Sequence, residues 1–328
     1  MHAVRLHAFG PAENLVHEHV DTPRPGPGQV RIAVRAAGVH LLDTTLRQGI
    51  PGPLPPAQLP TVPGREVAGT VDALGEGTDP DWLGRDVVAH LGNVPGGYAE
   101  IAVSDTDRLH LVPEGLGHAE AVAMVGTGRT VLGILGFTPL GPDSLVLVTA
   151  AAGGIGTLIV QYAKNAGATV IGLAGGPAKT ARVRDNGADL AVDYTRPDWP
   201  DHVRAHLDAL GRRATVVYDS VGSTTARAAV DLLGKGGQHV IYGRSGNGHP
   251  FSPTEDEREA RGITSENVLG PGLFRKGGGP RALETRALAE AAAGRLRPAI
   301  QSYPLARAAD AHRDLETRRT IGKVVLIP

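Results

Sequence analysis

The chain has 328 residues, 41% of them hydrophobic, enough for about two domains with a well-buried core. Lys and Arg total 33 against 34 Asp and Glu, a formal charge of −1. That balance removes the electrostatic case for a nucleic-acid or membrane-surface partner. Cysteine is absent, which excludes a disulfide scaffold, a thiol nucleophile, an iron–sulfur cluster and Cys-ligated zinc.

Residues 1–10 read as a strand entering a turn, with none of the basic-then-apolar pattern of a secretory leader. No apolar run reaches the roughly 18 residues a membrane helix needs, so a cytoplasmic protein without a membrane partner is expected. Residues 29–36 (QVRIAVRA) alternate apolar and polar, the signature of a half-buried strand. Residues 66–74, 86–91 and 98–103 are similar runs bounded by Gly and Pro. Residues 51–60 (PGPLPPAQLP) hold five prolines and read as a loop. This first part is expected to be irregular and mainly β.

Near Gly117 the pattern changes. Residues 118–137 are Ala- and Leu-rich with helical spacing of apolar positions. Short apolar strands then recur at 145–149, 169–173, 190–193, 215–219 and 238–242, with a helix-length segment in each gap. That alternation predicts βαβ units and a parallel sheet covered on both faces. Two helices near 281–294 and 305–318 and a last strand at 323–327 follow. The closing strand returns most economically to the sheet of the first domain.

The sharpest local signal is LVLVTAAAGGIG at residues 145–156, a buried strand running into a Gly-rich turn and then a helix. Backbone N–H groups at such a turn approach a dinucleotide pyrophosphate closely, and a Cβ would block them. Ala151 stands where that fingerprint has its first glycine, and Gly153 and Gly156 supply the other two. The next strand ends in Ala174-Gly175-Gly176, with no acidic residue to accept from a ribose 2′-hydroxyl. Lys179 follows in the first turn of the next helix, where a cation meets a 2′-phosphate or simply faces solvent. NADP(H) is therefore expected over NAD(H).

Together these residues resemble the medium-chain dehydrogenase/reductase superfamily and, within it, the zinc-free quinone oxidoreductases. The marks are AAGVHLLD at 36–43, RQG at 47–49, PGREVAG at 63–69, GGYAE at 96–100, the turn at 151–156, Asp193-Tyr194, YDSVG at 218–222, and the ending from Tyr303-Pro304-Leu305 through Ala311-His312 to GKVVLIP at 322–328. The resemblance implies an α/β protein of two parts. One is a GroES-like, mainly β catalytic domain at 1–124, completed by 269–328. The other is a Rossmann domain with a doubly wound parallel sheet at 125–268, with the site in the cleft between the two. It also implies a homodimer joined through Rossmann sheet edges. Zinc-bearing relatives use Cys and His ligands; here His40 lies near the Cys position and Arg65 replaces the His, so no metal is expected. His17 and His19 share a strand face, but no third ligand has a defined spacing.

Carried over position by position, the resemblance implies His40 and Asp43 as catalytic residues, His40 standing where related reductases have Asn. His40 serves as a hydrogen-bond donor, as a proton donor, or only as a filler of its loop. Asp43 orients that loop and contacts the cofactor. Thr130 faces the nicotinamide region. Gly153, Gly154 and Ile155 hold the pyrophosphate, and Gly175, Lys179 and Tyr194 the 2′-phosphate. Val221, Tyr242 and Ser245 line the cofactor beyond the fourth and fifth strands. Arg318 reaches it from the C-terminal segment or is an exposed helix-end residue. Tyr98 reads as core or strand surface rather than catalytic. The implied reaction is NADPH-dependent hydride transfer to a small-molecule quinone. Reduction of an enone or enoyl thioester, or cofactor binding without turnover, remain the alternatives.

Overall fold

The computed structural model describes residues 1–51, 57–93, 95–243, 250–270 and 272–328. The chain divides into two compact units: Met1–Arg129 with Glu284–Gly294 and Pro298–Pro328, and Thr130–Leu283 with Arg295–Arg297.

The first unit opens with the antiparallel pair β1 (His2–Leu6) and β2 (Leu15–His19). Strand β3 (Gln29–Val39) carries the alternating run read from the sequence, then becomes buried on both faces from Ala36 onward. Helix α1 (Leu41–Arg47) follows at once. Strands β4 (Glu66–Leu74), β5 (Asp86–His90), β6 (Ile101–Asp105) and β7 (Leu109–Leu111) complete the meander. β4 and β6 both pair antiparallel with β3, β5 with β4 and β7 with β5. The expected strand at 98–103 starts only at Ile101, because the backbone of Tyr98 bonds instead to Pro63 and Val4.

Residues 118–137 are not one regular helix. α2 (His118–Ala123) runs into a π-helical turn, Met124–Gly128, before α3 (Arg129–Leu135). Gly126 sits in that turn against the Glu66 carboxylate: a Cβ at 126 would lie 1.4 Å from Glu66 Oε1. Single π turns of this kind are frequent at functional sites.

The second unit alternates strand and helix: β8 (Leu145–Val148), α4 (Gly154–Asn165), β9 (Thr169–Ala174), α5 (Pro177–Asp185), β10 (Leu190–Asp193), α6 (Trp199–Ala209), β11 (Ala214–Asp219), α7 (Ser223–Asp231), β12 (Leu233–Ile241), α8 (Glu255–Arg261) and β13 (Thr264–Asn267). The strands form one sheet in the order β10-β9-β8-β11-β12-β13, every pair parallel. This is the doubly wound arrangement, whose order reverses between β8 and β11. Leu145, Leu147, Ile171, Leu173, Val203 and Val217 anchor its core.

The chain ends with α9 (Pro280–Ala292), β14 (Ile300–Pro304), α10 (Ala308–Glu316) and β15 (Lys323–Ile327). β15 pairs antiparallel with β3, Val325 opposite Gly38, and β14 adds outside it. The last strand thus closes the first unit's sheet, in the order β14-β15-β3-β4-β5-β7 with β6 also on β3. Among the described residues no helix is long and apolar enough to cross a membrane.

Candidate active site

In the first unit the end of β3 delivers His40 in an extended conformation immediately before α1. Asp43, three residues on, is buried and its Oδ2 accepts the backbone N–H of His40 at 2.8 Å. An acidic side chain there answers one of the unpaired N–H groups that open a helix. Asp43 also accepts from the Tyr98 hydroxyl at 3.1 Å, and Arg65 lies 3.6 Å from its other oxygen. Tyr98 is fully buried, and burial, with Asp43 beside it, holds its hydroxyl well above the usual range. Its oxygen lies 3.1 Å from His312 Nε2. Burial lowers His312 to about 4, so the imidazole is neutral at physiological pH. Because the hydroxyl's one proton goes to Asp43, His312 donates from Nε2.

The His40 side chain is held by two residues the sequence reading did not assign. Its Nε2 lies 2.5 Å from Glu66 Oε1 and 2.8 Å from Lys323 Nζ, and Lys323 donates to Glu66 Oε2 at 2.9 Å. Glu66 heads β4 and is 0% exposed; Lys323 heads β15 and is 4% exposed; the His40 side chain keeps 29% exposure. Burial alone would raise the Glu66 carboxyl, but the charges of His40 and Lys323 and the His40 hydrogen bond hold it well below the usual range. His90, opposite Glu66 in the β4–β5 register, is lowered to about 4 by burial and by Arg129, against the pull of Glu66. A charged residue opening a strand just ahead of apolar residues, Val67-Ala68 after Glu66 and Val324-Val325-Leu326 after Lys323, was the available signal for both.

In the second unit the predicted cofactor residues gather at the carboxyl ends of the strands, where ligands bind in open α/β sheets. β8 leads into Ala150, whose φ of +46° makes the tight turn, and Gly153 caps α4. Gly153, Gly154 and Ile155 form the helix entrance. Gly156 packs so close that a Cβ would lie 2.4 Å from the Ala150 carbonyl oxygen. Gly175 ends the turn after β9, and a Cβ on it would stand 3.8 Å from the Tyr194 hydroxyl oxygen. Lys179 is the third residue of α5, half-buried. Val221 and Tyr242 are buried beyond β11 and β12. The carboxylate of Asp219 accepts the Val221 N–H at 3.0 Å, while the Tyr242 hydroxyl turns inward to the Thr149 carbonyl at 3.3 Å. Tyr242 therefore offers backbone and ring rather than a free hydroxyl. Thr130 lies at the start of α3. Arg318 is exposed in the first unit after α10, with φ +56°. Ser245 lies outside the described residues.

Residues 26–114 match the alcohol dehydrogenase GroES-like domain family, and residues 186–326 the zinc-binding dehydrogenase family. A 2-haloacrylate reductase of Burkholderia is 34% identical, covering 99% of this chain and 98% of its own. A quinone oxidoreductase of Pseudomonas aeruginosa is 32% identical over 99% of each chain. The solved structure of Escherichia coli quinone oxidoreductase complexed with NADPH covers both chains completely at 28% identity, with a TM-score of 0.85. The chain belongs to the medium-chain dehydrogenase/reductase superfamily, as an oxidoreductase of its quinone oxidoreductase family.

The zinc in the description of one matching family does not fit the residues present. No thiolate exists in the chain, and the imidazole and carboxylate best placed to bind a cation, His40 and Glu66, already meet the Lys323 ammonium. Among the described residues no group of three or more His, Asp or Glu side chains is arranged to hold a metal ion.

Proposed function

We propose that the chain is an NADPH-dependent reductase of quinones. The observation that carries this reading is His40: a half-exposed imidazole whose Nε2 is fixed by a buried carboxylate and a buried ammonium. Such a group is oriented to hydrogen-bond an oxygen on which negative charge develops. NADPH, when bound, supplies a hydride. Gly153, Gly154 and Ile155 would take its pyrophosphate at the α4 entrance, where the first helical N–H groups have no partner within the helix. The turn fits that group, since Gly153 and Gly154 put no side chain at the α4 entrance. Gly175, Tyr194 and Lys179 would take the 2′-phosphate, and Thr130, Val221, Tyr242, Ser245 and Arg318 would contact the remainder. The NADPH in the Escherichia coli complex supports this choice of cofactor.

The work of this chain's own residues is then to hold the acceptor oxygen and to provide a proton. Quinones suit a site without a metal, because the aromatic ring stabilises the hydroquinone anion that forms. A second reading, reduction of a carbon–carbon double bond conjugated to a carbonyl or carboxylate, is favoured by the proton-bearing cluster at His40 and by the 34% identical 2-haloacrylate reductase. The β13 edge of the parallel sheet, which pairs only with β12 among the described residues, supports the expected homodimer.

The test is oxidation of NADPH, against NADH, with a small para-quinone, 2-chloroacrylate and a medium-chain enoyl thioester as parallel acceptors, in the presence of a chelator. Selective NADPH turnover with the quinone is the expected result. Faster turnover with either alkene moves the assignment to the second reading. Tight NADPH binding with no acceptor reduced would leave a cofactor-binding protein.

A further inference from the structure

The two contacts of His40 Nε2 make demands on one nitrogen that ordinary charge states do not meet together. Nε2 has a single hydrogen-bonding position, either an N–H or a lone pair. A carboxylate only accepts and an ammonium only donates. Glu66 Oε1 stands 2.5 Å from Nε2, and Lys323 Nζ stands 2.8 Å from the same atom. If Nε2 carries hydrogen, the carboxylate is satisfied and the ammonium faces an N–H. If Nε2 carries a lone pair, the ammonium is satisfied and the carboxylate faces a lone pair. Both contacts are met when a proton is shared along Lys323, His40 and Glu66. A structural ion pair between Lys323 and Glu66 alone would need no such approach to the imidazole.

The burial gradient gives that sharing a direction. Lys323 and Glu66 are shut away from water, while the imidazole retains 29% exposure. The fold keeps the path open with glycine. β3 runs between β15 and β4, and a Cβ at Gly38 would lie 2.3 Å from Glu66 Oε2 and 3.2 Å from Lys323 Cε.

We infer that Lys323 is a proton store that recharges His40 as His40 protonates the reduced acceptor; this rests on the reductase reading above. The acceptor takes a hydride at carbon from the reduced nicotinamide, and its π electron pair moves to the carbonyl oxygen, or through it as an enolate. A ring N–H bond of His40 breaks as the new O–H or C–H bond forms. Because Nε2 is held between Glu66 and Lys323, the N–H that breaks is at Nδ1; as it breaks, the ring takes a proton from Lys323 Nζ at Nε2, leaving a neutral imidazole and a neutral amine beside Glu66, and solvent then returns one proton at Nδ1 as Nε2 passes its own back to Lys323. One hydride and one proton are consumed per acceptor. Lys323 acts through His40 and is a positioning and proton-supplying residue, not one that touches substrate.

The experiment compares wild type with Lys323→Met, Lys323→Arg, His40→Asn and His40→Asn/Lys323→Met, using whichever of the three acceptors wild type reduces. Lys323→Met is expected to lower kcat by about 100-fold, the usual scale of general acid catalysis, with KM and the NADPH Kd within about twofold of wild type. Lys323→Arg is expected to be as slow, because a guanidinium keeps the charge but does not release a proton. Added methylamine should restore part of the Lys323→Met rate, and Lys323→Met should add no loss on top of His40→Asn. Near-wild-type turnover by Lys323→Arg, or additive losses in the double variant, would overturn the proposal in favour of a purely electrostatic role. Should the lysine variants not fold, the proton inventory of wild type in mixed H2O and D2O decides: a bowed dependence of kcat on deuterium fraction supports two coupled transfers, and a straight line overturns them. If wild type binds NADPH yet reduces none of the acceptors, the reductase reading itself has failed and the proton store falls with it.

Discussion

Lys323 and Glu66, 257 residues apart in the chain, meet at 2.9 Å across strand β3. The pair is dry, so the attraction must offset the loss of hydration of two charges. Removing one partner strands the other: Glu66→Gln leaves Lys323 buried without its carboxylate. The expected cost is about 3–5 kcal/mol of unfolding free energy, read from urea denaturation at pH 7. The double variant Glu66→Gln/Lys323→Met should be less destabilised than the sum of the singles. Additive losses would mean that the two charges are not coupled.

The glycine in the π turn makes the same point from the other side. A methyl at residue 126 would fall on Glu66 Oε1 itself, and the carboxylate, boxed in by His40 and Lys323, can yield only by leaving them. Gly126→Ala is therefore expected to cut turnover at least tenfold while the far-ultraviolet circular dichroism of the folded chain is retained. Wild-type turnover in that variant would show that Glu66 need not hold His40.

How far the sequence revealed this arrangement depends on the range of the interactions involved. The alternation of 29–36 and the apolar runs of the second unit mark strands because burial there is local and periodic, and the predicted strands 66–74, 190–193 and 323–327 have the observed limits. β13, with the sequence TSEN, and β14, IQSYP, have no apolar period. Backbone pairing to β12 and to β15 makes them strands, and single-chain patterns do not record it. The helix entrance at Gly153 is local chemistry and legible. The contacts of His40 are not, because Glu66 and Lys323 come from strands 26 and 283 residues away. Tyr98 reads as core or strand surface and is fully buried, yet its bond to Asp43 spans 55 residues and its approach to His312 spans 214.

His312 gives the fold a defined acid sensitivity. Its pKa is lowered from an ordinary 6.5 to about 4 by burial, so between those values the unfolded chain binds a proton that the folded chain does not. Stability must then fall as the pH drops through that window, by about 2 kcal/mol between pH 7 and pH 5 for this residue alone. His90, also lowered to about 4, adds in the same direction. Guanidinium unfolding at the two pH values should show a smaller difference in His312→Gln, which keeps an N–H for the Tyr98 oxygen. An unchanged difference would mean that burial does not shift His312 between the folded and the unfolded chain.

Lys179 offers the most direct check on cofactor choice. It stands in the first turn of α5, next to a β9 end whose Gly175 and Gly176 present no carboxylate, and a 2′-phosphate is the group that distinguishes NADPH from NADH. A hydrogen bond to a charged group contributes about 1.5–3 kcal/mol, so Lys179→Ala should weaken NADPH binding by roughly ten- to a hundredfold. NADH binding should remain within about twofold of wild type, since that cofactor has no phosphate for the ammonium to meet. Fluorescence titration of both cofactors against both proteins separates the outcomes. An equal loss for NADPH and NADH would mean that Lys179 supports the turn itself, and the preference for NADPH would then rest on Gly175 and Tyr194.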